Sequence, residues 1–255
     1  MTATTGSATE TVGSETAIFP AVWSALGTVL DPELDEPLTD LGFVARCEVT
    51  PTSEVFVRLR LPTYFCAPNF AFLMVADAYD AVSAVRGVRR TVVELDDHFA
   101  SDAINRGVAA RAGFRGTFAE EAADELDGLR ADFVRKAVLA GTDRVCRTAI
   151  KAGADPESLA GLTLGEAPAS TDRERLRARR RELGLPFTDR DPLIVDPATG
   201  AAIDPADPAG LKRHLGLARL TRVSQEANSG VCRGMLGARY PETARVTAIH
   251  GQEQS

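Results

Sequence analysis

The chain has 255 residues, 44% hydrophobic and 25% charged, a composition able to bury a core and incompatible with disorder along its whole length. Its net charge of -7 argues against a general nucleic-acid binder, which needs a surplus of Lys and Arg to neutralise phosphates. The longest apolar stretch, Phe70 to Ala76, is stopped by Asp77, well short of the ~20 residues of a membrane helix.

Met1 to Thr16 is nearly all Thr, Ser, Gly, Ala and Glu, without the basic start or apolar run of a signal peptide, and reads as a disordered tail. The expected location is cytoplasmic. From Ile18 to Leu30 the residues Val22, Trp23, Leu26, Val29 and Leu30 recur at helical spacing, and Asp31-Pro32 supplies a stop. Phe43, Ala45, Cys47 and Val49 alternate with Val44, Arg46 and Glu48. After a Pro51-Thr52-Ser53 turn, Val55, Val57, Leu59 and Leu61 alternate with Phe56, Arg58 and Arg60, which predicts a hairpin with one buried face. A second helix is expected over Pro68 to Val85, with proline suited to its first turn, followed at Gly87 by a strand from Val88 to Leu95. The order is α-β-β-α-β, and joining the last two strands through a helix makes them parallel with a right-handed crossover. The sheet is therefore three-stranded and mixed, in an α+β domain spanning 17–97.

Beyond Asp96 alanine, leucine, arginine and glutamate dominate, so 98–255 reads as a mainly helical extension. Helices are expected over Ala100 to Gly153 with breaks near Gly113, Gly116 and Gly128, and over Thr171 to Leu183. The Pro-rich stretch near 185–208 reads as turns rather than packed structure. Leu211 to Leu236 is helical again, with interruptions expected at Gly216 and Gly230.

Three separated motifs carry a resemblance: Asp31-Pro32-Glu33-Leu34, then Asp40-Leu41-Gly42-Phe43-Val44, then Leu61-Pro62-Thr63 with Cys66-Ala67-Pro68. In order and spacing they are similar to the MIP18-like (DUF59) family, over Ile18 to Leu95, about a third of the chain. The resemblance implies a carrier or adaptor in iron-sulfur cluster assembly or metal-cofactor insertion, and not an enzyme. Here Ala67 stands between the cysteine and the proline that are adjacent in most members. The long helical extension resembles accessory proteins found alongside bacterial diiron monooxygenases, which implies a client metalloenzyme of that kind as partner.

The four cysteines, Cys47, Cys66, Cys146 and Cys232, form no CxxC pair, so neither a zinc knuckle nor a disulfide framework is indicated. Cys66 stands where a strand gives way to a helix, and the free N–H groups and positive dipole there favour the metal-binding thiolate. It is the leading ligand for a transient iron or iron-sulfur cargo. Glu33 is a second candidate ligand. Asp31 and Asp40 suit ligand or capping roles, Thr63 caps the helix or hydrogen-bonds the Cys66 sulfur, and Pro68 opens the helix. Cys47 and Cys146 read as core. Asp96-Asp97-His98 reads as a solvated strand end that caps the next helix, with iron ligation the sharper alternative. The arginine run around Arg177, Arg180 and Arg181 reads as a solvated helix face or a surface for an acidic partner. One thiol supplies one ligand, so a shared cluster needs a homodimer or a client donor. A metal-free folding adaptor for an apo-oxygenase is the competing expectation, and a Cys-dependent hydrolase the minor one, because no nucleophile motif is present.

Overall fold

The computed structural model describes residues 9–118 and 126–241, with side-chain detail from residue 18. The chain divides into two compact units, the first comprising Met1–Pro32, Glu36–Leu126 and Gly230–Ser255, the second Glu33–Asp35 and Asp127–Ser229.

In the first unit, α1 (Thr9–Leu26) leads through α2 (Leu38–Leu41) to the strands β1 (Val44–Val49) and β2 (Glu54–Arg60), then α3 (Pro68–Ser83) and β3 (Arg90–Asp96). The helix thus starts earlier than expected, at Thr9, inside the segment read as a disordered tail. The remainder of that segment, 1–8, lies outside the described residues. β1 and β2 are antiparallel, and β2 and β3 parallel, in the order β1-β2-β3, which is the mixed sheet expected from the sequence. Cys47, Val57 and Val93 lie side by side across it and are buried, whereas Arg46, Arg58 and Glu94 form the next row on the other face. That alternation follows from the two-residue period of a strand. One detail departs from it. A register shift between Val44 and Arg46 puts Val44 in the core (1% exposed) instead of Ala45, as an extra residue in a bulge does.

Buried residues of α1 (Val22, Leu26) and α3 (Val75, Ala78, Val82) supply the unit's core together with the inward sheet face. α4 (Ser101–Ala109) adds Ile104, and α5 (Gly113–Thr117) leads to Phe118. Phe114 and Phe118 pack on Phe72 of α3 with ring centroids 5.5 and 6.5 Å away.

The second unit is helical, built from α6 (Asp127–Lys151), α7 (Thr171–Glu182) and the part of α8 (Pro208–Arg239) up to Ser229. The break expected near Gly128 falls at the start of α6, which begins at Asp127. α8, in contrast, runs unbroken through Gly216 and Gly230. A helix-interior glycine costs only about 1 kcal/mol, and thirty-odd residues of continuous hydrogen bonding outweigh two of them. The stretch 185–208 also differs from its turn-only reading. Leu193, Ile194 and Val195 are fully buried there, and short bridges tie Thr163 to Pro192 and Val195 to Ala202. The prolines shape the turns, but the three apolar residues between them fill the core.

The arginine run on α7 is turned inward more than its composition suggests. Arg180 is 0% exposed, and its guanidinium donates to the carbonyls of Pro186, Pro192 (2.8 Å) and Leu193. It is therefore corrected from a docking residue to a clamp on the proline-rich stretch, because a buried guanidinium needs acceptors and those carbonyls provide them. Arg177 pairs with Glu174 and Asp189, and Arg181 lies 4.7 Å over the ring of Phe187. Arg179 donates to Asp35 at 2.7 Å, with Arg144 and Arg175 also within ion-pair reach of that carboxylate. Among the described residues, no helix is long and apolar enough to cross a membrane.

Candidate functional site

Cys66 sits in the link between β2 and α3, one residue before the helix cap Ala67. Pro68 occupies the first turn, where its missing N–H costs nothing and its φ is already helical. No side chain caps the helix. Thr63 takes the other role offered by its position: its Oγ1 lies 3.2 Å from Cys66 Sγ, and it accepts the Phe65 N–H at 3.3 Å. Thr63 thus holds the sulfur within the loop, and Cys66 is half-buried.

The second hold on this loop comes from the end of β3. Asp97 has φ 53, in the left-handed region that Asp tolerates better than most residues. This turn breaks the strand alternation and sends His98 into the interior (3% exposed). Its Nε2 lies 2.7 Å from the Cys66 carbonyl, and its Nδ1 accepts the Ala100 N–H at 3.2 Å. Accepting at Nδ1 places the proton on Nε2, so the neutral imidazole donates to the carbonyl. Burial, as the main cause, lowers the His98 pKa below 6.5, with the Arg239 charge acting in the same direction and the Cys66 hydrogen bond opposing. Asp97 itself stays outside, accepting from Tyr240 at 2.7 Å and pairing with Arg239 at 2.7 Å. The Tyr240 hydrogen bond is the leading cause of its lowered pKa.

Around the thiol lies an exposed aromatic group. Tyr64, Phe65 and Phe99 are 43, 76 and 49% exposed, with ring centroids 5.0 to 6.3 Å apart. Neither this group nor the inward His98 was visible in the linear motifs. The Tyr64-Phe65 pair directly before Cys66 was the available signal, since two large aromatics in a loop have little core to enter.

The other sequence candidates are dispersed. Asp31 is buried and its N–H donates to the Glu36 carbonyl. Asp40 lies in α2, with its side chain accepting from Thr39 at 3.3 Å. The helix ends at Gly42, whose φ of 77 explains a glycine at that place in the motif. Glu33 groups with the second unit, where its carboxylate lies 3.5 Å from Asn228 Nδ2. Cys47 and Cys146 are buried, and desolvation pushes each thiol up to about 12. Cys232 is half-buried on α8. Among the described residues no three His, Cys, Asp or Glu side chains gather into a metal-holding group.

This geometry gives a half-buried thiol on a doubly anchored loop beside an exposed aromatic group, in the α-β-β-α-β domain. Residues 20–95 match the family model of iron-sulfur cluster assembly proteins. The match covers 76 of the 255 residues and contains Cys66, Thr63 and Pro68. No curated protein and no solved structure matches the chain. The domain match supports a general role in iron-sulfur assembly.

Proposed function

We propose that this protein is a non-catalytic maturation factor that passes iron or an iron-sulfur cluster to a client metalloenzyme, with Cys66 as the exchangeable ligand. The carrying observation is the placement of Cys66 inside the matched domain, half-buried and held from both sides by Thr63 and His98. A single thiolate makes one of the four bonds a cluster generally needs. The cargo therefore takes its remaining ligands from the client or a second copy of the chain, and leaves when those ligands improve. A diiron monooxygenase component is the client class suggested by the long helical extension. The hydrolase alternative is disfavoured by His98, because both its ring nitrogens are engaged with backbone groups and neither faces the sulfur as a base.

The folding-adaptor reading has its own support in the exposed Tyr64, Phe65 and Phe99, since an apolar surface binds a client without any metal. Anaerobic incubation with ferrous iron and sulfide, followed by visible and Mössbauer spectroscopy, separates the two. Wild-type protein is expected to show a thiolate-ligated iron signal that Cys66→Ser abolishes at equal protein level. Failure of the wild type to hold iron, with client maturation intact, replaces the cargo mechanism by the adaptor.

A further inference from the structure

Among the described residues β3 is an edge strand, and part of its edge is unpaired although Val93 itself is largely buried. Leu95 donates its N–H to Asn105 Oδ1 at 2.8 Å and accepts from Asn105 Nδ2 at 3.1 Å, so its backbone groups point away from β2. Successive residues of a strand point alternately, so those of Thr91 and Val93 point the same way. The hairpin gives the same parity independently. The Arg60 N–H donates to Phe43 and the Thr50 N–H to the Glu54 carbonyl, which assigns the even residues of β2 to β1 and the odd ones to β3. With Val55 opposite Thr91 and Val57 opposite Val93, Thr91 and Val93 face outward. Asn105 imitates a neighbouring strand at Leu95 and closes the ladder there. Thr91 and Val93 have no such substitute among the described residues, and the Thr91 hydroxyl is buried without a hydrogen-bond partner.

This unpaired edge faces a cleft of about 470 Å³ between α3 and α4, lined by Tyr79, Asn105, Arg89 and the β3 residues from Arg90 to Glu94. Three arginines line it, Arg89, Arg90 and Arg111, in a chain whose net charge is -7. Arg89 has no ion pair among the described residues. Arg90 and Arg111 reach Glu54 (3.6 Å) and Asp80 (3.3 Å) with side chains 64 and 68% exposed, weak pairs that an incoming carboxylate displaces at little cost. The one acid in the lining, Glu94, pairs with Arg58 at 3.1 Å.

We infer that the β3 edge at Thr91 and Val93 takes up an extended, acidic segment of another polypeptide as a fourth strand. Backbone groups give it affinity and the arginines select its charge. A second copy of this chain is the wrong occupant for pairing through the same edge, because it brings the same arginines together. Residues Arg90 to Glu94 offer about 16 Å of edge, at the opposite end of β3 from the Asp97-His98 turn that holds Cys66. Partner capture and thiol chemistry therefore occupy separate places on one domain.

The test uses full-length protein and fluorescence anisotropy of a labelled, capped peptide alternating valine with glutamate. Binding is expected to fall at least about 10-fold when lysine replaces glutamate, when alternate peptide nitrogens are methylated, and in Arg89→Glu/Arg90→Glu protein. Thr91→Pro, a substitution an edge strand tolerates, is expected to weaken binding as well. Amide exchange at Val93 should slow when the peptide binds, and Cys66→Ser should bind like wild type. Equal binding of acidic and lysine peptides, no binding up to about 1 mM, or bound peptide without slower exchange at Val93 overturns the inference. So does Val93 protection that rises with protein concentration in the absence of peptide, which makes the occupant a second copy.

Discussion

Replacing His98 with leucine roughly keeps the volume of a buried side chain and removes its two hydrogen bonds, one across to the Cys66 carbonyl and one to the Ala100 N–H, while the Phe99 N–H bond to the Tyr64 carbonyl (3.2 Å) stays. The Ala100 N–H and the Cys66 carbonyl then lose their partners. An orphaned buried group costs about 1–3 kcal/mol. Because Cys66 is half-buried, water replaces part of the loss on its side, and the total comes to roughly 2 kcal/mol. Trp23 is the only tryptophan and stands on α1 of the same unit, so its fluorescence reports urea unfolding of this unit. The expected midpoint shift is about 1 M, accompanied by faster alkylation of Cys66 as its loop loosens. His98→Gln, which retains a donor and an acceptor, should recover part of both. The imidazole also predicts a pH dependence. Unfolded His98 takes up a proton near pH 6.5, whereas the buried ring does so only at lower pH. Its contribution is therefore complete above pH 6.5 and is lost as pH falls from there through the depressed native value. That acid slope should be present in wild type and absent in the glutamine variant. A midpoint within about 0.2 M of wild type for His98→Leu, with unchanged Cys66 reactivity, refutes the anchoring argument.

Three further outcomes are expected. Iodoacetamide should label Cys66 before Cys47 or Cys146, because burial shields those two and pushes their pKa values to about 12; peptide mass spectrometry gives the order. Cys47→Ser should cost about 1–3 kcal/mol by placing a hydroxyl in the sheet core, whereas Cys66→Ser should stay within about 0.5 kcal/mol of wild type, both read from Trp23 fluorescence in urea. Asp35→Leu should destabilise the second unit by about 3 kcal/mol or more, since Arg144, Arg175 and Arg179 converge on that buried carboxylate; hydrogen exchange along α7 measures it, and unchanged protection would assign the arginines to the surface.

The sequence alone determined the α-β-β-α-β order, the mixed sheet and the inward row through Cys47, because strand alternation, helical spacing and the Pro51-Thr52-Ser53 turn are local signals. Cys66, Thr63 and Pro68 were legible for the same reason: they lie within six residues of one another. Tertiary structure decided what depends on residues far apart in the chain. His98 reaches Cys66 across 32 positions, and its inward direction depends on the backbone turn at Asp97. Arg180 is a charge that composition places in solvent, yet the carbonyls of a proline-rich loop satisfy it inside the core. Leu193 to Val195 looked like part of a turn region because proline content records where the backbone bends and not where the side chains between the bends are buried. The open edge of β3 was equally hidden, since which residues face a missing neighbour follows from strand register and from Asn105 closing the ladder at Leu95.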